Sequence, residues 1–289
     1  MKEYIAFDIG GTQIKYGIVS ETGTVLKHKT VSTEIHLGGE QIIQKLILLS
    51  KKLMNEHTIS GIGISTAGIV NIHKGVVTGG AEHIPNYATI PIIDRLQRVL
   101  QVPVSVENDV NCAALGEKWK GIGNGKRNFI MLTLGTGIGG AIFIDGELYR
   151  GHSFSAGEWG NMLIEGKTFE EVASISGLIH LVRKYKGEGD WNGKTIFELY
   201  DKGDREVTQA VEVFFKHLAI GISNLAYIFN PEMIVIGGGI TGRGNQFLKE
   251  VKGEVEKYLN KEIYNNCEIE LAQNGNCAGM VGAIYHFLH

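Results

Sequence analysis

LTLGTGIGGAI, Leu132 to Ile142, begins as an apolar strand, passes through a run of glycines and leaves as a second apolar strand. A tight hairpin needs one or two glycines. The small, flexible positions Gly135, Thr136, Gly137, Gly139 and Gly140 therefore predict a backbone that a ligand approaches closely. The letters GTGIGG also fit the dinucleotide fingerprint GxGxxG, but that motif opens a helix and has an acidic residue about twenty positions on. A strand follows here, which argues against NAD. Asp145-Gly146 then supplies a favoured two-residue hairpin signal.

The same order stands at the start of the chain. Tyr4 to Ile9 and Ile14 to Val19 read as strands joined through Gly10-Gly11-Thr12, and Glu21-Thr22-Gly23 turns into a third at Thr24 to Lys29. Within AFDIGGT, Ala6 to Thr12, the turn is either a plain hairpin or a place where backbone N–H groups meet an anion, with Asp8 able to hold Mg²⁺ through water. Two copies of strand, glycine turn, strand and hairpin form an internal repeat and predict two related domains, which suits 289 residues. Residues 1–118 are expected to form a smaller α/β domain and 119–275 a larger one, with a closing helix over 276–289 packing back on the first.

Helical spacing is read at Glu40 to Met54, Pro91 to Leu100, Val110 to Lys118, Phe169 to Tyr185, Glu206 to Ile228, Asn245 to Leu259 and Ala278 to Leu288. Strands at Gly61 to Ile64, Val102 to Val106, Met233 to Ile236 and Ile269 to Ala272 alternate with them, so the class is α/β. A third glycine run, Gly237-Gly238-Gly239, ends the strand Met233 to Ile236, and ligands of α/β sheets gather at such strand ends. Together the three runs predict an ATP site. Gly10, Gly11, Thr12, Gly135, Thr136 and Gly137 would face phosphates, and Gly237 and Gly238 the nucleoside. Asp109 follows a strand and precedes a helix: it is either an ordinary N-cap or a carboxylate placed to take a proton from an attacking hydroxyl.

The succession DIGGT (8–12), ENDVNCAALGE (107–117), LGTGIGG (134–140), GHSFSAGEWGN (151–161) and NPEMIVIGGGI (230–240) strongly resembles the ROK family of sugar kinases and sugar-responsive repressors, over nearly the whole chain. That resemblance implies a two-domain α/β actin-like ATPase (ribonuclease H-like) fold, in which ATP and a sugar meet in an interdomain cleft, and usually a homodimer. It implies that Asp109 is the catalytic base and that Asn108 binds the sugar. Glu158 and Glu170 match further sugar contacts, as does Asn86 in HIPNY, although the tryptophan that often follows is missing.

Most relatives carry a His followed by a CxCGxxGCxE loop that binds structural zinc. This chain has Asn161 in place of the His and Gly166-Lys167-Thr168-Phe169 where the cysteines would stand. Zinc takes about four N or S ligands, and neither Cys112, Cys267 nor Cys277 lies here, so no zinc site is expected. In the family that His touches the sugar near its anomeric end, so the resemblance implies that the amide and the shorter loop leave room there. That favours a β-glucoside or disaccharide such as cellobiose, with glucose and N-acetylmannosamine as the other acceptors.

Composition excludes other classes. With 43% hydrophobic residues and a net charge of −3 without basic blocks, the chain reads as globular, with no nucleic-acid or membrane partner. Three scattered cysteines and no signal-peptide pattern suggest reduced thiols in the cytoplasm. ROK regulators carry a winged helix-turn-helix before DIGGT; only seven residues precede Asp8, so an enzyme using ATP and Mg²⁺ is expected over a DNA-binding regulator or a catalytically dead sensor. Protein purified without chelator should contain no stoichiometric zinc by mass spectrometry of the metal content, and one zinc per chain would overturn the reading of residues 161–169.

Overall fold

In a computed structural model that describes all residues Met1–His289, the chain divides into two compact units. The first comprises Met1–Gly125, Arg150–Ala156 and Gln273–His289; the second comprises Lys126–Tyr149 and Gly157–Ala272.

The first unit begins with the meander β1 (Glu3–Ile9), β2 (Gln13–Ser20) and β3 (Val25–Ser32), then α1 (Gly39–Met54) and β4 (Ile59–Thr66). A hairpin of β5 (Ile69–Asn71) and β6 (Val76–Gly79) leads to α2 (Ile92–Leu100), β7 (Val104–Asn108) and α3 (Asp109–Lys120). The sheet order is β3-β2-β1-β4-β7, antiparallel across the meander and parallel from β1 through β4 to β7. The continuous apolar run of β1 is explained by burial on both faces. Ile5, Phe7 and Ile9 point toward the stripe Ile42, Ile43 and Leu46 of α1, while Tyr4 and Ala6 point to the opposite side. Asp8 shares that second face, which makes it the polar member of an otherwise apolar strand surface.

In the second unit, β8 (Phe129–Leu134), β9 (Ile138–Ile144) and β10 (Glu147–Leu148) repeat the meander. A small hairpin of β11 (Leu163–Ile164) and β12 (Lys167–Thr168) follows, then α4 (Phe169–Ala173), α5 (Ile175–Lys186), α6 (Gly193–Asp201) and α7 (Arg205–Phe229). The unit ends with β13 (Met233–Gly237), α8 (Asn245–Val255), α9 (Lys261–Asn266) and β14 (Glu268–Leu271). Its order, β10-β9-β8-β13-β14, has the same pattern as the first sheet: an antiparallel meander extended from its first strand by two parallel strands. The helical period expected over Phe169 to Tyr185 is two helices. Ser174, in extended backbone at φ −85° and ψ 172°, ends α4 and caps α5 by accepting from the Gly177 N–H. Helix α6 and the β5–β6 hairpin have no counterpart in the sequence reading.

The chain then returns to the first unit as α10 (Ala278–Leu288), which lies on β1, β4 and α3 through small residues. A Cβ on Gly63 of β4 would stand 2.5 Å from the Ala283 carbonyl oxygen, and one on Gly116 of α3 would stand 2.6 Å from that of Ala278. A Cβ on Gly282 would overlap the Cys112 carbonyl oxygen outright. Backbone rather than a flexible side chain is in the way, so Gly282→Ala forces the helices apart. It should destabilise the protein by about 1–3 kcal/mol or more, seen as a lower melting temperature by roughly 2–4 °C per kcal/mol. Gly253→Ala, in α8 with nothing within 4 Å of the added carbon, should not lower it. Equal melting temperatures for wild type and Gly282→Ala would show that the seam is loose.

Candidate functional site

The Gly10-Gly11-Thr12 turn is held from behind. Buried Thr33 donates through Oγ1 to the Gly10 carbonyl at 2.6 Å and through its N–H to the Thr12 carbonyl at 3.0 Å, while all three turn residues stay exposed. A Cβ on Gly11 would meet nothing nearer than His83 Nε2 at 4.0 Å, so this backbone is open to a ligand. Beside it, Asp8 accepts from Ser65 Oγ at 2.7 Å and from Lys15 Nζ at 3.3 Å, its cross-strand partners on β4 and β2. A Cβ on Gly279, in the first turn of α10, would stand 2.5 Å from Asp8 Oδ1. No group of three or more His, Cys, Asp and Glu side chains is arranged to hold a metal ion. One carboxylate held this way fits Mg²⁺, which takes most of its ligands from water and phosphates, and does not fit a protein cage.

At the start of α3, Asn108 and Asp109 both bond to the first turn of the helix. Asn108 is the N-cap: its side-chain oxygen accepts from Val110 N at 2.9 Å and Asn111 N at 3.0 Å. Asp109 is the first helical residue, half-buried, and its Oδ1 accepts from Asn108 Nδ2 at 3.0 Å and from the Val110 N–H at 2.9 Å. Asn108 Nδ2 also donates to the Gly68 carbonyl at 3.0 Å. Asp8 and Asp109 both act on buried Cys112: burial, then Glu107, Asp8 and Asp109, push its thiol well above the usual range, against a hydrogen bond with Ser65. Asn86 stands on an exposed loop in the left-handed conformation, φ 52°, next to Tyr87. The Tyr87 hydroxyl bonds Thr66 Oγ1 at 2.8 Å, and burial raises its pKa to about 12.

In the second unit the glycines of LGTGIGG prove to serve different ends. Nothing lies within 4 Å of a Cβ on Gly135, whereas one on Gly137 would stand 2.8 Å from Glu170 Oε2 and one on Gly140 would overlap the Trp159 indole. That indole donates to the Met131 carbonyl at 3.2 Å, so Gly140 is small for packing, not for a ligand. The short turn Trp159–Asn161 thereby holds Glu158 and Asn161 in place, and a Cβ on Gly160 would also meet Glu170 Oε2 at 2.8 Å. Glu158 is exposed as a whole, but protein crowds its carboxyl group; this partial burial, then the charge of Glu170, raises its pKa above the ordinary carboxylate value. The β11–β12 hairpin turns at Glu165 and Gly166, both at positive φ, and Glu165 ties it to α7 through Lys216 at 2.7 Å and His217 at 3.3 Å.

A cavity of about 640 Å³ opens in this unit, within the range of small-ligand sites. Leu134, Ile175, Phe197 and Ile240 give it apolar walls, and Gly135, Thr136, Gly239 and Gly242 supply backbone. Gly237 and Gly238 are not part of the lining. Gly238, at φ 95°, packs against the Leu134 backbone instead. Arg243 forms one rim: its guanidinium lies 4.5 Å from the Phe197 ring centre, bonded to both Asp201 oxygens at 2.7 and 2.8 Å and to Glu250 at 2.9 Å. Burial alone would lower its pKa, but Asp201 and Glu250 outweigh it and the group is held charged. Much of this wall comes from α6, absent from the sequence reading. Its signal was Asn192 three residues before Thr195, which form a reciprocal capping box. Apolar walls, open glycines and a charged rim are the features of a small-ligand pocket.

The family model for the ROK family matches residues 4–289. A beta-glucoside kinase of Listeria monocytogenes is 38% identical over 296 residues, covering 98% of this chain and 96% of the relative. The solved ROK family glucokinase of Streptomyces griseus, in complex with glucose and AMPPNP, superposes with a TM-score of 0.83 at 28% identity, over 98% of each chain. A ROK family protein of Streptococcus pneumoniae in complex with sucrose gives 0.88 at 29% identity, over 99% of this chain and 98% of that one. Fold and likeness together define an ATP-dependent carbohydrate kinase with the actin-like ATPase fold. The chain belongs to the ROK family.

Because Glu170 is the second cause of the raised Glu158 pKa, Glu170→Gln should move the Glu158 titration part of the way down, leaving the shift due to burial. Carboxyl ¹³C shifts recorded against pH give the midpoint directly. An unchanged midpoint would show that the two carboxylates do not interact.

Proposed function

We propose that this kinase transfers the γ-phosphoryl group of ATP to the 6-hydroxyl of a β-glucoside or disaccharide such as cellobiose, or of glucose, with Asp109 as the base. The observation that carries the reading is the pinned Asn108–Asp109 corner of α3. Asn108 takes the Val110 and Asn111 N–H groups, and Asp109 Oδ1 takes the Val110 N–H and the Asn108 amide, so the carboxylate is held in a fixed position at the start of the helix, as a base for a bound hydroxyl must be. Phosphoryl transfer asks for positioning, charge stabilisation and one such base. The turns Gly10-Gly11-Thr12 and Gly135-Thr136-Gly137, whose first N–H groups close the turns onto Gln13 and Gly137, would offer their remaining backbone N–H groups to phosphates, and the pocket beside α6 would take the nucleoside. Mg²⁺ would be held by Asp8 through water and would supply neutralisation of phosphate charge. Asn86, Asn108, Glu158, Asn161 and Glu170 would bind the sugar hydroxyls. The protein would act as a cytoplasmic homodimer, as family resemblance implies.

The acceptor is inferred from Asn161, which replaces the family's zinc-bound imidazole on a turn followed by a short hairpin. The Listeria relative is named a beta-glucoside kinase, and the Streptococcus structure contains sucrose, both in keeping with room beyond one ring. A coupled ADP-release assay over cellobiose, glucose, N-acetylmannosamine, fructose and allose should give the highest kcat/KM with cellobiose; N-acetylmannosamine in first place would replace this acceptor. With the best sugar, Asp109→Asn should bind sugar but lose ~10²–10⁴-fold in kcat. Retention of more than a tenth of the wild-type rate would remove Asp109 from the mechanism.

A further inference from the structure

Glu107, the penultimate residue of β7, is a carboxylate with only 1% of its surface exposed. Each of its oxygens is engaged. Oε1 accepts from the Asn108 backbone N–H at 2.7 Å and from Asn111 Nδ2 at 3.0 Å, while Oε2 accepts from Arg150 Nε at 2.6 Å. On the other side of the guanidinium, Arg150 Nη2 donates to His286 Nδ1 of α10 at 3.4 Å. Burial is the main cause of a lowered His286 pKa, assisted by Arg150 and opposed by Glu107 and a hydrogen bond to the Val106 backbone, so the imidazole stays neutral and accepts. All of these groups lie in the first unit, Arg150 through the short excursion Arg150–Ala156 that follows β10. A buried ion pair is commonly no more stabilising than apolar residues of the same shape. What this one fixes is the position of the Asn108 N–H, next to Asp109.

We propose that Arg150 is a positioning residue for phosphoryl transfer, acting through Glu107 on the Asn108–Asp109 corner of α3; this rests on the reading of Asp109 as the base. Arg150 holds the Glu107 carboxylate aimed, Glu107 holds the Asn108 backbone, and Asn108 in turn donates to Asp109 Oδ1. Without the guanidinium, the buried carboxylate loses its charged partner and the bond that fixes its Oε2, and the corner loosens. Small displacements of a reacting group can cost as much as ~10²-fold in rate.

The test is a comparison of Arg150→Met, the double variant Glu107→Gln with Arg150→Met, and Asp109→Asn, each assayed with the best sugar of the panel and followed by circular dichroism. Arg150→Met should lose ~10–10²-fold in kcat with KM for ATP unchanged. The double variant carries no unpaired buried charge and keeps an amide oxygen for Asn108 and Asn111, so it should regain most of that loss, the non-additivity expected of residues in one network. Should Arg150→Met turn over within threefold of wild type while Asp109→Asn is inactive, the positioning role is wrong and the base reading stands. A double variant as slow as Arg150→Met, or slower, would mean that Arg150 acts other than through Glu107. If Asp109→Asn stays active, the base reading falls and this proposal with it.

Discussion

The approach of α10 to β4 and α3 is the constraint on which the first unit depends. Backbone meets backbone there because Gly63, Gly116 and Gly282 carry no side chain, and an added methyl at any of them runs into a carbonyl oxygen. The same approach brings Gly279 against the Asp8 carboxylate and His286 against Arg150. Tight packing and the polar chemistry of the unit are therefore one arrangement. Loosening the seam to relieve strain would also shift the groups that stand around Asp8 and Glu107.

Two buried carboxylates show how the chain fixes its corners. Glu107 takes the N–H of Asn108, and Glu117, fully buried at the other end of α3, accepts from the backbone N–H groups of Ile122, Gln273 and Asn274 at 2.7–3.0 Å. A buried charge without partners is costly, and each acid is placed where three donors converge. Glu117 ties the segment leading into α10 to the end of α3, and Glu107 ties the Arg150 excursion to its start. Phosphoryl transfer asks the protein mainly for positioning, and the proposed role of Asp109 would draw on such anchoring.

Residues 132–142 and 4–19 announced their hairpins, and the alternation of strands and helices gave the class α/β, because strand alternation and glycine turns are properties of neighbouring residues; the actin-like fold came from the resemblance to the ROK family. The ROK motifs were equally legible, being short runs in order. What each glycine does was not. Gly135 faces open space, Gly140 lies under Trp159 and Gly238 lies on Leu134, three reasons that look the same as letters. Nor could the sequence say whether Asn108 or Asp109 caps α3, since both residue types do so readily. Helix α6 escaped because its capping box sits in a glycine-rich stretch that reads as loop.

By itself, then, the sequence determined the order of the main strands and helices apart from α6 and the β5–β6 hairpin, the doubled meander, the family and the kind of reaction. Only the tertiary structure decided that Arg150 reaches Glu107 across 43 positions, that Glu117 meets Gln273 across 156, and that Phe197 and Arg243 form one wall of a pocket. The physical reason is range. Backbone preference is set by adjacent residues and is written locally, whereas desolvation and charge pairing act between side chains that only folding brings together, and no spacing in the chain specifies which will meet.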